Sequence, residues 1–316
     1  LERFRMISRL RSTSRPQTTS WAATALFNLT KSAEQAGSPI RMLVCPYADS
    51  HDPCVRVVGS FVLECLSFQL CFYANPRIGF MQIHERGIAP SDFFPSYIST
   101  YVDRDVREEL GVRKIAEFNV FLELAALRVG EVLNTESLAN DCGISVDTAK
   151  SWLSILGSSF IAFRLRPYFK NYGKRITKAS KLYFYDTGLA AHLLGIESTE
   201  QLILSNHRGN LFENLVVTEI IKRYEALEKR PRLYHWRDSN RKEIDLIIEK
   251  GGKPYYLIEI KSSATFRPEA FSTIDSIAPE MGVPCERRFV VYGGSDSFGN
   301  RHGRVIGFRN LGELVE

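Results

Sequence analysis

The spacing of apolar residues changes character near Arg208. From there the chain reads helix, strand, strand, strand, helix, strand. The helix is "GNLFENLVVTEIIKRYEAL", in which Val216, Val217, Ile220 and Tyr224 recur at a helical period. The strands are "RLYHWRD", "EIDLIIE", "YYLIEIKSS" and "RFVVYGG", with "RPEAFSTIDSIAPEMG" as a crossover helix before the last. The two middle strands form a hairpin. Ile244, Leu246 and Ile248 alternate down one arm, Ile258 and Ile260 down the other, and Gly251 and Gly252 supply the turn. This is an α/β unit of roughly a hundred residues, an ordinary domain size.

Upstream the pattern is helical. After Pro95, Tyr97, Tyr101 and Val102 fall on one side of an expected helix, and "IAEFNVFLELAALRVGEVL" gives an amphipathic helix ending near Gly130. In "NTESLANDCGISVDTAKSWLSIL", Thr135 is expected to cap a short helix through Leu138 and Ala139. Gly143 supplies a left-handed turn, and Ser145 caps a second helix carrying Ala149, Trp152, Leu153 and Leu156. Two short helices so joined describe a helix-turn-helix, which reads DNA or packs against protein. Three regions result: residues 1–75, with weak periodicity and no clear hairpin; residues 76–190, helical with the helix-turn-helix; and residues 191–316, the α/β unit.

Charges inside the hairpin do not fit its pattern. Asp245 is embedded in the first apolar run, and Glu259 and Lys261 flank Ile260 in the second. Strand parity puts Glu259 and Lys261 on one face. With the hairpin centred on Gly252, Asp245 lies opposite Glu259, at a Cβ separation of about 5 Å that destabilises like charges. Such a pair needs a cation, either Lys261 or a divalent metal that prefers hard oxygen ligands; the alternative is a solvated polar face. Glu213 adds a third carboxylate. It projects into the apolar arc of its helix, where an ionised group is costly unless the helix packs across the hairpin and brings it to Asp245, Glu259 and Lys261.

A second charged segment follows the helix-turn-helix. Arg164, Arg166, Lys170, Lys174, Arg175, Lys178 and Lys181 occur with no acid between them, interleaved with Phe163, Tyr168, Phe169 and Tyr172 and followed by Tyr183. As the hairpin wing of a winged helix this forms a phosphate-binding and base-stacking surface; otherwise it is a solvated hairpin whose aromatic rings are core.

Composition is that of a globular protein, with 44% hydrophobic and 24% charged residues among 316. The formal charge of +5 arises wholly before Asp49, so the body as a whole gives no electrostatic argument for nucleic acid. "VRVVGSFVLECLSFQLCFYA" comes closest to a membrane span but is broken by Arg56 and Glu64. The basic opening has no apolar signal-peptide core. The six cysteines form no CxxC pair. Reduced thiols, a cytoplasmic location, no membrane partner and no zinc site are the expectations.

Glu213 on a leading helix, Asp245 in the second strand, and Glu259, Ile260 and Lys261 in the third resemble the PD-(D/E)XK nuclease pattern. A closer resemblance runs from about Ile83 to the C-terminal end. "SYISTYVDRDVR", "LAALRVGEVLNTESLANDCGIS", "KLYFYDTGLAAHLLGI", "GNLFENLVVTEI", "HWRDSNRKEIDLII" and "IEIKSS" look like successive blocks of bacterial AAA-family ATP-binding proteins. In these a nuclease-like C-terminal domain of unknown function, DUF4143, follows a P-loop ATPase. The chain departs from the family in lacking a GxxxxGK run followed by Ser or Thr: "NYGKRIT" and "KGGKPY" lack the upstream Gly and the hydroxyl. It therefore resembles a truncated or altered member, with residues 1–75 as a possible ATPase remnant, no nucleotide site and no ATPase activity of its own.

The resemblance implies a winged-helix segment followed by a restriction-endonuclease-like α/β domain. It also implies Mg²⁺ or Mn²⁺ held by Asp245, Glu259 and the Ile260 carbonyl, Glu213 completing or orienting the site, and Lys261 positioning or activating water. DNA is the implied partner, together with an ATPase subunit or the missing N-terminal domain. The rival reading is a non-catalytic module that binds nucleic acid or protein and keeps its carboxylates and lysine as a structural ion-pair network. A third is a transcription regulator using residues 134–181 alone.

Overall fold

The computed structural model describes residues 90–102, 106–107, 114–169 and 179–315, all within one compact unit. The expectations for residues 1–75, and for the wing tip carrying Lys170, Lys174, Arg175 and Lys178, lie outside the described residues.

The helical part contains α1 (Pro90–Thr100), α2 (Ile115–Ala126), α3 (Thr135–Asp141) and α4 (Val146–Ser158). The first of these begins before Pro95 rather than after it: Pro90 occupies the first position, where its missing N–H costs nothing, and Pro95 lies inside the helix. In α2, Phe118, Phe121, Leu122 and Ala125 form one buried stripe, and Trp152 of α4 packs edge-on against Phe118 and Phe121. The cap of α3 is Asn134, one residue earlier than expected, because its Oδ1 accepts hydrogen bonds from both Glu136 N and Ser137 N at 3.0 Å. Gly143 takes the left-handed turn at φ +66°, and Ser145 caps α4 by accepting from Thr148 N.

A two-stranded antiparallel ribbon follows, β1 (Ala162–Leu165) and β2 (Lys181–Phe184), with Leu165 opposite Lys181 and Phe163 opposite Tyr183. Its second strand is buried at every residue. Two short helices, α5 (Thr187–Leu193) and α6 (Thr199–Leu204), lead into the long α7 (Arg208–Ala226).

Beyond α7 lie β3 (Arg232–Arg237), β4 (Glu243–Lys250), β5 (Lys253–Lys261), α8 (Ser272–Met281), β6 (Arg288–Tyr292), β7 (Phe298–Asn300) and β8 (Gly303–Gly307). Six strands form one mixed sheet in the order β3-β4-β5-β6-β8-β7. β5, β6 and β8 run parallel, and the remaining pairs are antiparallel. β7 and β8 were not anticipated; one is three exposed residues, and the other has only Val305 and Ile306 as an apolar signal. Gly251 and Gly252 turn the β4–β5 hairpin with φ of +61° and +79°, the signs required by the tight turn that matches strand twist.

The sheet is covered on both faces. Phe212, Val216, Val217 and Ile220 of α7 pack with Leu246, Ile248, Ile258 and Ile260, while Phe271, Ile274 and Ala278 pack with Ile247, Leu257 and Val290. Leu211, one residue before Phe212, belongs instead to the core of the helical part. Thus α7 is buried on two sides and joins the two cores.

Asn214 holds α7 to the ribbon. Fully buried, it accepts from Phe184 N at 2.7 Å and donates to Phe184 O at 3.0 Å and Thr187 Oγ1 at 2.7 Å. Replacing it by Leu leaves a buried N–H and C=O without partners, each costing about 1–3 kcal/mol. Asn214→Leu is therefore expected to lower unfolding free energy by about 2–4 kcal/mol in urea titrations, with Thr187→Val costing less. A change below about 0.5 kcal/mol for Asn214→Leu would mean that this junction is not what holds β2.

Candidate active site

The β4–β5 register determines where the hairpin charges go. The two-residue turn pairs Lys250 with Lys253, and an irregularity beyond Glu249 shifts the pairing so that Ile248 faces Tyr256 and Leu246 faces Ile258. The next rung would carry Asp245 to Glu259, but the ladder stops at Leu246. On its other side β4 bulges against β3: Tyr234 pairs with Ile247 and Trp236 with Ile244, leaving an extra residue at 245–246. Asp245 lies at this bulge. Its Oδ2 accepts a hydrogen bond from Ile260 N at 2.8 Å, so a side chain substitutes for a backbone partner where the strands part.

Helix α7 and strand β2 meet this point. Lys181 and Tyr183 are two apart on β2, and both donate to Glu213 Oε1 on α7, at 2.7 Å and 2.5 Å. The Lys181 ammonium also pairs closely with Glu243 and lies 3.9 Å from Asp245 Oδ1; Arg237 lies 3.8 Å from Glu243. Lys181 is only 3% exposed. Its pKa is raised: burial alone would lower it, but Glu213, Asp245 and Glu243 together outweigh burial. Tyr183 is held well above its usual range by burial and by the Glu213 charge.

Glu259 is paired separately. Its Oε1 accepts from Lys261 Nζ at 2.6 Å, and the lysine side chain is about half exposed, 47% by area. Its Oε2 is buried with no hydrogen-bond partner. Burial, then the nearby Asp245 charge, pushes its pKa up from 4.5 to about 8 despite Lys261. The carboxyls of Glu213 and Asp245 are raised too, chiefly by burial, with the Asp245 charge next for Glu213. Four carboxylates thus share two lysines and one arginine, and for Glu213, Asp245 and Glu259 the lysines do not fully offset burial.

The expected residues are therefore brought together in two linked groups. Glu213 and Asp245 surround Lys181, Glu259 holds Lys261, and Asp245 couples the groups by charge and through Ile260 N. Lys181, read from sequence as part of a basic wing, is buried among acids and unavailable to a surface phosphate. Tyr168 and Tyr183 are buried and present no stacking face, whereas Arg164 and Arg166 are exposed. Sequence reasoning missed Glu243 and Asn214, and read Tyr183 as a ring of the basic segment rather than as a donor to Glu213. The spacing of Lys181 and Tyr183, two apart on a short strand, was the available signal for a shared target. His235 on β3 was missed as well. It is 2% exposed, and burial together with the Lys181 charge lowers its pKa to about 3, so it stays neutral.

Among the described residues no set of three or more His, Cys, Asp or Glu side chains is grouped to hold a metal ion. The donor set that remains is two carboxylates, Asp245 and Glu259, with the Ile260 carbonyl. Magnesium is commonly held through one or two carboxylates while it keeps several waters. The unpartnered Glu259 oxygen and the all-oxygen donors fit such an ion.

Residues 208–311, which contain all three carboxylates first singled out, match the family described as Domain of unknown function (DUF4143). A DUF4143 domain is present. Residues 78–200, which contain Lys181 and Tyr183, match a second family, Domain of unknown function (DUF8612). Two mycobacterial proteins, an uncharacterized protein of Mycobacterium tuberculosis and one of Mycobacterium bovis, are each 31% identical over 203 residues. The alignment covers 64% of this chain and 44% of each relative, so the chain spans less than half the length of the curated relatives it matches. No solved structure matches the chain. No helix among the described residues is long and apolar enough to cross a membrane.

The raised carboxyl of Glu259 sets a pH dependence. The folded protein keeps a proton that the unfolded chain releases above about pH 4.5, so this group's contribution to stability falls as pH rises from 4.5 to about 8. His235 acts oppositely, but only below its unfolded value of 6.5. In a metal-free buffer, stability is expected to decline by order 1 kcal/mol between pH 6.5 and 8, and Glu259→Gln should flatten that decline. Thermal melts across that range check it; a wild-type curve parallel to that of Glu259→Gln would contradict it.

Proposed function

We propose that the α/β part of this chain is a metal-dependent phosphodiesterase of the nuclease type, acting on DNA. The observation that carries the reading is the pair Asp245 and Glu259 where β4 and β5 part, with one Glu259 oxygen buried and unpartnered beside a half-exposed Lys261. An isolated buried carboxylate oxygen is costly, and a hard divalent cation offsets that cost. Asp245, Glu259 and the Ile260 carbonyl would hold Mg²⁺ or Mn²⁺. Bound there, the ion supplies an acidified water and neutralises charge on the phosphate.

The chain's own groups do the rest. Asp245 is oriented by Ile260 N and by the Lys181 charge. Glu213 holds Lys181 in place from α7, with Tyr183 as a second donor. Lys261 reaches solvent while tied to Glu259, so it can orient the attacking water and offset charge developing on a phosphate oxygen. Exposed Arg164 and Arg166 contribute phosphate contacts without reading sequence. The resemblance to AAA-family proteins supports an ATP-dependent partner region, and a bacterial, cytoplasmic setting, for this activity.

The second reading, a non-catalytic interaction module, has one observation in its favour: Lys181 already neutralises much of the charge on Glu213, Glu243 and Asp245. Purified chain with Mg²⁺ or Mn²⁺ distinguishes the two. Cleavage of linear or circular DNA, reduced at least about a hundredfold by Asp245→Asn, is expected. Millimolar metal should also raise the melting temperature, by an amount equivalent to about 2.7 kcal/mol at a hundredfold excess over Kd, and Asp245→Asn should remove the shift. Neither cleavage nor a metal-dependent shift would leave the interaction module as the reading.

A further inference from the structure

Lys181 was not part of the metal site inferred from the sequence, and it comes from outside the DUF4143 range. Yet its ammonium contacts three carboxylates on two elements: Glu213 of α7, and Glu243 and Asp245 of β4. A point charge at the centre of three acid groups occupies the place a second divalent ion would take if Glu213 were a ligand. Its neighbours permit no withdrawal. The aliphatic stem is buried, and the strand that carries it is held by Val132 pairing with Lys181, by Leu165 opposite it, and by Asn214 at Phe184. Glu213 Oε1 is already engaged by Lys181 and Tyr183, so that oxygen is not a free ligand. By contrast Glu259 Oε2 has no partner.

We propose that Lys181 is a resident cation that fills one of two cation positions in this site, so that the protein is built to take a single divalent ion, at Asp245 and Glu259. Glu213 is then a positioning residue that acts through Lys181 rather than a metal ligand. The inference rests on the metal-site reading above, yet the two can fail separately. With its ammonium turned to Glu213, Glu243 and Asp245 and almost no exposure, Lys181 holds the three carboxylates together but, unlike half-exposed Lys261, has no donor left for a water. The site also becomes composite: the helical part supplies, through β2, a charge that the α/β part lacks.

Titration calorimetry with Mn²⁺ on the full chain tests this. Wild type is expected to bind one ion, and Lys181→Met, which keeps the stem but removes the charge, two. An increment of one ion over a wild-type number of one supports the resident cation; a wild-type number of two overturns the single-ion site, and a wild-type number of zero overturns the nuclease reading with it. No increment in a folded Lys181→Met protein overturns the resident cation. If Lys181→Met does not fold, Lys181→Met combined with Glu213→Gln removes one charge of each sign and should restore a cooperative thermal transition, because the loss came from unpaired carboxylates. A double variant as unfolded as the single one would show that the loss does not come from carboxylate charge left unmatched at Lys181, and would overturn the proposal. Glu213→Gln by itself should leave Mn²⁺ affinity within about threefold of wild type, whereas Glu259→Gln should weaken it at least tenfold. Equal weakening by both would make Glu213 a ligand and overturn the assignment.

Discussion

A single buried ammonium sets much of this architecture. Moving a lysine head group out of water costs several kcal/mol, and only closely placed opposite charges offset that cost. For Lys181 those charges come from α7 and β4, which are far apart in sequence. The ribbon, the long helix and the sheet must therefore dock in one arrangement for the charge to be matched. Removing one partner of such a pair is far more disruptive than never having built it, because the remaining charge stays buried and alone.

The same contacts explain why α7 is polar where an ordinary sheet-packing helix would be apolar. Phe212, Val216, Val217 and Ile220 address the sheet, and Leu211 addresses the helical core. Glu213 and Asn214 fall between these two stripes and grip β2, one by its side chains and the other by its backbone. The ribbon is thereby attached to both parts of the described fold. Its first strand runs on to the sheet edge, where Tyr168 N donates to His235 O and His235 N donates to Arg166 O.

Much of the α/β part was legible because its signals are local. Short runs of strand-forming residues gave β3 to β6, with alternation in β4 and β5, the Gly251–Gly252 pair gave the hairpin, and helical spacing gave α7 and the crossover helix α8. The misplaced carboxylates were legible for the same reason: Asp245, Glu213 and Glu259 each violate the pattern of their own element. Lys181 was misassigned because its role is set by long-range contacts. In sequence it closes a run of seven basic residues, and only docking of β2 against α7 and β4 separates it from that run. The direction taken by Asp245 was likewise unreadable, since it depends on a bulge against β3 and on a ladder that ends one rung early. β7 and β8 were missed because three exposed residues and one apolar pair carry almost no periodicity.

On the proposed reading the site divides its labour between one permanent cation and one exchangeable cation. Lys181, held by Glu213, lies beside Asp245, and a divalent ion would complete the unpartnered oxygen of Glu259. A crystal structure of the full chain grown with Mn²⁺, read by anomalous scattering, tests this most directly. The account predicts one manganese peak contacting Asp245 and Glu259, with the Lys181 ammonium still on Glu213 and Glu243. A manganese bound by Glu213 with Lys181 displaced, or no peak at millimolar Mn²⁺, would contradict it.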